Sequence, residues 1–162
     1  MGLSRSTLPG MTHHLAQCNI GRTTKPLDHA DMAEFVAALE PINALAESSP
    51  GFVWRLTGAE GESSSYVDIP GTDDPLLIIN YSIWVDVESL RSFMYKTDHV
   101  AYLRRRREWF QEPASPISAA WWVPVGSVPD VAEAYGRVVH LQEHGPTETA
   151  FPVSRPWPRP GP

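Results

Sequence analysis

The stretch YKTDHVAYLRRRREWF, residues 95–110, gathers most of the side chains in this chain that could carry chemistry. His99 stands two residues after Thr97 and is followed by four consecutive arginines, Arg104 to Arg107, and by Trp109 and Phe110. An imidazole with a pKa near ~6.5 exchanges protons at neutral pH, which makes His99 a candidate general acid/base. A histidine at a helix start can instead be held by a backbone or carboxylate partner. The arginine run is first of all a solvated helix face, with Glu108 near enough to pair with it; otherwise one of its arginines turns into a dimer or binds an anionic substrate group. Helical phase bears on the choice. Leu90, Phe93 and Met94 define one apolar face, whereas His99, Leu103 and Phe110 fall nearly opposite. One straight helix cannot bury both, so a break at Thr97 and Asp98, with either side chain as a new N-cap, would turn His99 inward.

The elements that must position this stretch follow from periodicity and punctuation. Residues 13–22, HHLAQCNIGR, read as a strand closed by Gly21. Asp28 or Asp31 can cap a helix over about 30–48, where Met32, Phe35, Leu39, Ile42 and Leu45 recur at helical spacing. Pro41 should kink that helix. Residues 52–56 form a second strand, and the Gly/Ser/Asp-rich connection 58–74 could serve as a lid. Residues 76–85, LLIINYSIWV, are the strongest strand, after which Asp86 caps the helical region that runs to Phe110. Residues 119–125 form a fourth strand with Pro124 at its end. Pro129 and Asp130 open a last helix that stops near His144. The order β-α-β-β-α-β plus a terminal helix is that of a ferredoxin-like α+β fold: one antiparallel sheet with both main helices on one face. Residues 1–12 read as a flexible extension and 13–150 as a single domain. The proline-rich 151–162 read as a tail without ladder or helix, disordered or draped over a partner.

Strand alternation sorts side chains by face. Ala16, Cys18 and Ile20 share one side with Ile79, Tyr81 and Ile83, a small and apolar set suited to packing under the helices. The other side collects Gln17, Asn19, Asn80, Ser82 and Trp84, joined by Arg55 and by Trp121 or Trp122. Uncharged hydrogen-bonding groups beside indole rings fit a pocket for a flat, partly polar organic molecule. Arg55 among aromatics is either a stacked structural residue or a clamp for a carboxylate or enolate. His14 stands at the strand start as a rim ligand. A second sheet face bearing tryptophans should not stay bare, so a face-to-face homodimer is expected.

Bulk properties bound the function. The 162 residues are 42% hydrophobic and 20% charged, enough for one core. A net charge of -6 argues against nucleic acid or an anionic membrane as partner. Cys18 is the only cysteine and should pack as a small hydrophobe. No apolar run approaches the ~18 residues of a membrane span, and the N-terminal residues lack a signal-like apolar core, so a cytoplasmic location is expected. There is no glycine-rich phosphate loop, HExxH, paired His/Cys spacing or nucleophile elbow, so neither a nucleotide nor a metal site is expected.

The blocks HLAQCNIGR, PINALAESSPGFVWRL, NYSIWVDVESLRSFMY, HVAYLRRRREWF and WWVPVGSVP together resemble the domain-of-unknown-function 3291 family. That family is similar to the dimeric α/β-barrel superfamily, in which two ferredoxin-like units pack sheet to sheet. Relatives there include cofactor-free antibiotic-biosynthesis monooxygenases, muconolactone-type isomerases, polyketide cyclases and haem enzymes. Thr97-Asp98-His99 resembles the Ser-x-His of the monooxygenases. The resemblance implies cofactor-independent oxygenation, isomerisation or cyclisation of an enolisable or aromatic intermediate in bacterial specialised metabolism. His99 would be the acid/base, with Asn80, Arg55, Gln17 and Asn19 orienting substrate. The alternatives are a haem enzyme with His99 or His14 on iron, and a non-catalytic binder of a hydrophobic metabolite.

Overall fold

The structure, a computed structural model, describes residues 10–162; residues 1–9, most of the expected N-terminal extension, lie outside it. Strands β1 (His13–Arg22), β2 (Phe52–Arg55), β3 (Leu77–Trp84) and β4 (Ser118–Pro124) form one antiparallel sheet in the order β2-β3-β1-β4. Helix α1 (Ala33–Ser48) joins β1 to β2. A helical region divided into α2 (Val87–Lys96), α3 (His99–Arg104) and α4 (Arg106–Trp109) joins β3 to β4, and α5 (Val131–His144) follows. This is the expected ferredoxin-like order with its extra C-terminal helix.

Two helix starts are capped as their sequences imply. Asp86 accepts from the Ser89 N–H at 2.8 Å to open α2, and Asp130 accepts from the Glu133 N–H at 2.9 Å to open α5. The start of α1 differs. A single 3-10 turn, Ala30–Met32, precedes it, and His29 Nδ1, not Asp28 or Asp31, accepts a backbone N–H there. α1 then continues through Pro41, which stands on its exposed side.

The alternation along β1 and β3 is as expected, but the layers over the two faces are exchanged. Ala16, Cys18, Ile20, Ile79, Tyr81 and Ile83 are covered by α5, through Ala134, Val138 and Leu141. Over the Gln17, Asn19, Asn80, Ser82 and Trp84 face lie α1 and α2 to α4. Handedness is the reason. A right-handed crossover fixes the side on which the connecting helices fall, whichever face is the more apolar. The small residues Ala16, Cys18 and Ala119, all fully buried, let α5 approach closely. Burial pushes the Cys18 thiol pKa up to about 12, so it packs as a hydrophobe. α5 thus covers much of the face from which a sheet-to-sheet dimer was inferred, while Val53 and Trp54 of β2 stay partly exposed. The connection after β2 helps: its Ile69 is buried in the same layer.

The proline-rich segment is docked. Phe151 and Ala120 exchange two backbone hydrogen bonds of 2.8 and 2.9 Å, and the Phe151 ring is buried with Leu15, Trp84 and Phe93. Beyond it, the Trp157 carbonyl accepts from Trp122 Nε1 at 2.8 Å, and the Arg159 guanidinium lies 4.8 Å from the centre of the Trp122 ring. Its composition rules out a regular ladder; it does not rule out anchoring by single side chains. Because Phe151 is fully buried, Phe151→Ala should cost about 3–5 kcal/mol. Urea unfolding followed by tryptophan fluorescence measures this, and a loss well under 1 kcal/mol would mean that the segment is not part of the folded unit.

Candidate functional site

The helices do not close fully on the sheet. Between them lies a cleft of about 280 Å³, near the small end of ligand sites, which run from about 300 to 1,000 Å³. Its floor is polar. Gln17, 6% exposed, donates to Asn19 Oδ1 at 3.2 Å and to Ser118 Oγ at 3.0 Å. Asn80 stands opposite Asn19 in the β1–β3 register and is exposed. Ser82 accepts from Trp84 Nε1 at 2.9 Å, which satisfies that buried indole and leaves the hydroxyl hydrogen free to donate. Next to Ser82 on β2, Arg55 donates from Nε to Glu47 Oε1 at 2.6 Å.

The walls are apolar. Phe35, Leu39 and Ile42 of α1 face Phe93, Met94 and Leu103 of α2 and α3. One end is an aromatic cluster, in which Phe35 packs edge-on against Phe110 at 5.3 Å and tilted against Trp109 at 5.7 Å. Gly21 makes this possible: a Cβ there would stand 2.6 Å from two carbons of the Phe110 ring. Arg105 joins the walls by ion pairs to Glu34 at the start of α1 and to Glu108, over the face of Trp109. Of the arginine run, Arg106 alone lines the cleft.

His99 enters from α3. The helical region breaks at Thr97 and Asp98, where the phase change demanded it. Thr97 makes the break: its hydroxyl donates to the Phe93 carbonyl and accepts from the His99 N–H. Asp98 makes no side-chain cap. The imidazole packs 4.8 Å from the Phe93 ring, with Nδ1 a long 3.5 Å from the Met94 carbonyl. A carbonyl can only accept, so Nδ1 carries the hydrogen in that contact and Nε2 is the basic nitrogen. Burial pushes the His99 pKa below its ordinary 6.5, and the Met94 carbonyl opposes that shift more weakly. At neutral pH the ring is therefore an uncharged base.

The structure brings His99, Asn80, Arg55, Gln17, Asn19, Ser82 and Trp84 to one cleft. Three expected residues lie elsewhere. His14 pairs with Val123 and shares the α5 face with Ala16, so it is not at the rim of the cleft. Trp121 pairs with Ala16 and is buried on that same face, beneath Arg137. Trp122 is on the cleft side of the sheet, but it packs at the Leu15 end under the C-terminal segment. Other residues were not foreseen: Asn43, Ser63, Ser65 and Tyr102. Asn43 left a signal, as a polar residue four positions after Leu39 on an otherwise apolar stripe. Ser63 and Ser65 left none, being delivered by an irregular connection.

The chain matches the family described as Domain of unknown function (DUF3291) over residues 14–161. It belongs to that family. The match takes in the docked C-terminal segment and agrees with the motif blocks. No curated protein matches the chain. Among solved structures, NE2512, a protein of unknown function from Nitrosomonas europaea, is 15% identical, with 76% of this chain and 99% of that one covered and a TM-score of 0.45. PA3566 from Pseudomonas aeruginosa is also 15% identical, over 72% and 98%, with a TM-score of 0.46. A candidate antibiotic biosynthesis monooxygenase from Nitrosomonas europaea is 15% identical, over 78% and 100%, with a TM-score of 0.37. Among the described residues of the DUF3291 chain, no helix is long and apolar enough to cross a membrane.

The electrostatics of His99 are open to direct measurement. Its ring should titrate in NMR with a midpoint below 6.5, because burial disfavours the imidazolium. The unfolded chain then takes up this proton first. The group's contribution to stability is complete above pH ~6.5 and is lost as pH falls through the folded-state value. A midpoint above 6.5 would mean that the ring is held by a negative charge instead.

Proposed function

We propose that this DUF3291 protein is a small-molecule enzyme that works by proton transfer without a nucleotide cofactor. Its substrate would be an enolisable or aromatic, largely hydrophobic molecule of one or two rings. The observation that carries this reading is a neutral imidazole, its pKa lowered by burial, at an apolar cleft floored by amides. His99 Nε2 would remove a proton from an acidic C–H or O–H of the bound ring. Asn80, with Gln17 and Asn19 behind it, would donate to the oxygen on which negative charge gathers. The resulting enolate or phenolate can rearrange, close a ring or meet dioxygen.

Haem fits these residues poorly. His14 lies on the far side of the sheet, which leaves His99 as the one histidine that lines the cleft. A cleft of about 280 Å³ with an amide floor suits a smaller ligand than a tetrapyrrole.

The test begins with native mass spectrometry and an absorption spectrum of the purified protein, followed by a panel of phenolic and polyketide-like compounds. Turnover would be read as oxygen uptake and product mass. A colourless protein that turns over a compound, with His99→Gln slower by about 10²–10⁴-fold, is the expected result. Tight binding with no turnover would make the protein a metabolite binder. Full activity in His99→Ala would remove the histidine from the mechanism.

A further inference from the structure

The charge pattern of the cleft goes against that of the chain. The protein carries 19 acidic and 13 basic residues. Among the described residues, those that line the cleft include Arg55, Arg106 and His99 and no aspartate or glutamate. Arg55 is the better placed of the two arginines, because its side chain is only 19% exposed whereas Arg106 is exposed. Its guanidinium is half used. Nε is engaged by Glu47, itself about half exposed at the outer side, and this pair fixes the plane of the fork. Nη1 is buried and has no hydrogen-bond partner among the described residues. A buried guanidinium N–H left unpaired costs free energy.

We propose that the cleft is built for an anionic ligand, and that the Arg55 guanidinium binds the carboxylate of an aromatic or alicyclic monocarboxylic acid. This inference rests on the reading of the cleft as a substrate site and narrows its substrate class. A carboxylate supplies the negative charge that the lining lacks, and a charge-assisted hydrogen bond in a half-enclosed site is stronger than a neutral one. Ser82 stands beside Arg55 in the strand register with its hydroxyl hydrogen still to donate, and supplies a second donor on the same floor. The ring of the acid would then lie against the apolar walls. A phosphate monoester would satisfy the same arginine, but the flat, amide-rich floor and narrow volume favour the planar group.

The test compares 2-naphthoate, 2-naphthamide and 2-naphthyl phosphate by isothermal titration calorimetry on the full-length protein. Expected is binding of 2-naphthoate at least tenfold tighter than of the neutral amide, and tighter than of the phosphate. In Arg55→Met the advantage over the amide should vanish while the amide binds as before. Arg55→Lys should retain part of it, since the charge remains but the fork does not. Thermal melts of both variants establish that they are folded. Equal binding of acid and amide by the wild type overturns the inference and leaves the cleft as a substrate site. An advantage that survives in Arg55→Met also overturns it, and places the charge recognition on Arg106. Preference for the phosphate overturns the carboxylate assignment. Binding of none of the three at millimolar concentration overturns the reading of the cleft as a site for ring compounds, and this inference with it.

Discussion

The rest of this structure depends on side-chain alternation along the two central strands. β1 and β3 pair Leu15 with Trp84, Gln17 with Ser82 and Asn19 with Asn80, so one face carries a gradient from apolar to amide. At the apolar end the helices can close: Leu15, Trp84, Leu90, Phe93 and Phe151 form a buried cluster. At the amide end they cannot, because burying asparagine and glutamine without partners costs several kcal/mol (~2–7) in an apolar surrounding. Gln17 meets that requirement by spending its N–H groups on Asn19 and Ser118. Asn80 meets it by staying wet. A cleft is therefore the cheapest way for this face to fold, before any ligand is considered.

The opposite face has no such gradient. Its small residues admit α5, and Tyr81 and Trp121 fill the remaining space, stacked at 5.8 Å with the Tyr81 hydroxyl donating to the Pro129 carbonyl. That face is a packed core beneath the cleft. The division of labour is clean: α5 contributes stability, and the helix layer across the sheet contributes the site. The docked C-terminal segment seals the apolar end of that second layer and caps the β4 edge at Ala120, which would otherwise present unpaired backbone groups.

Much of this was legible in the sequence. Element order, the caps at Asp86 and Asp130, the facing of β1 and β3 and the break before His99 all follow from spacing and local chemistry. The exchange of layers was not legible, since alternation sorts residues into two sets and does not say which set the crossover helices cover. That is decided by chain handedness. Trp121 and Trp122 could not be told apart because they are adjacent, and a one-residue slip in the register of β4 would swap their faces. The docking of Phe151 escaped because an anchor made by one ring and one bridge has no periodicity to detect.

The two halves of the candidate chemistry differ in origin. His99 is positioned by neighbours within six residues: Thr97 holds its backbone N–H, Met94 receives Nδ1 and Phe93 packs against its ring. Nothing distant in the chain is needed to present Nε2 or to lower its basicity, beyond enough cover to remove water. The floor is the reverse. Gln17, Asn80, Ser82 and Arg55 meet only because three strands pair in one register. The proton-transfer group could therefore persist while α1 and the floor change, and changes there would alter what is bound before they alter what the histidine can do. A fold arranged this way separates the element that presents the histidine from the strands that build the floor.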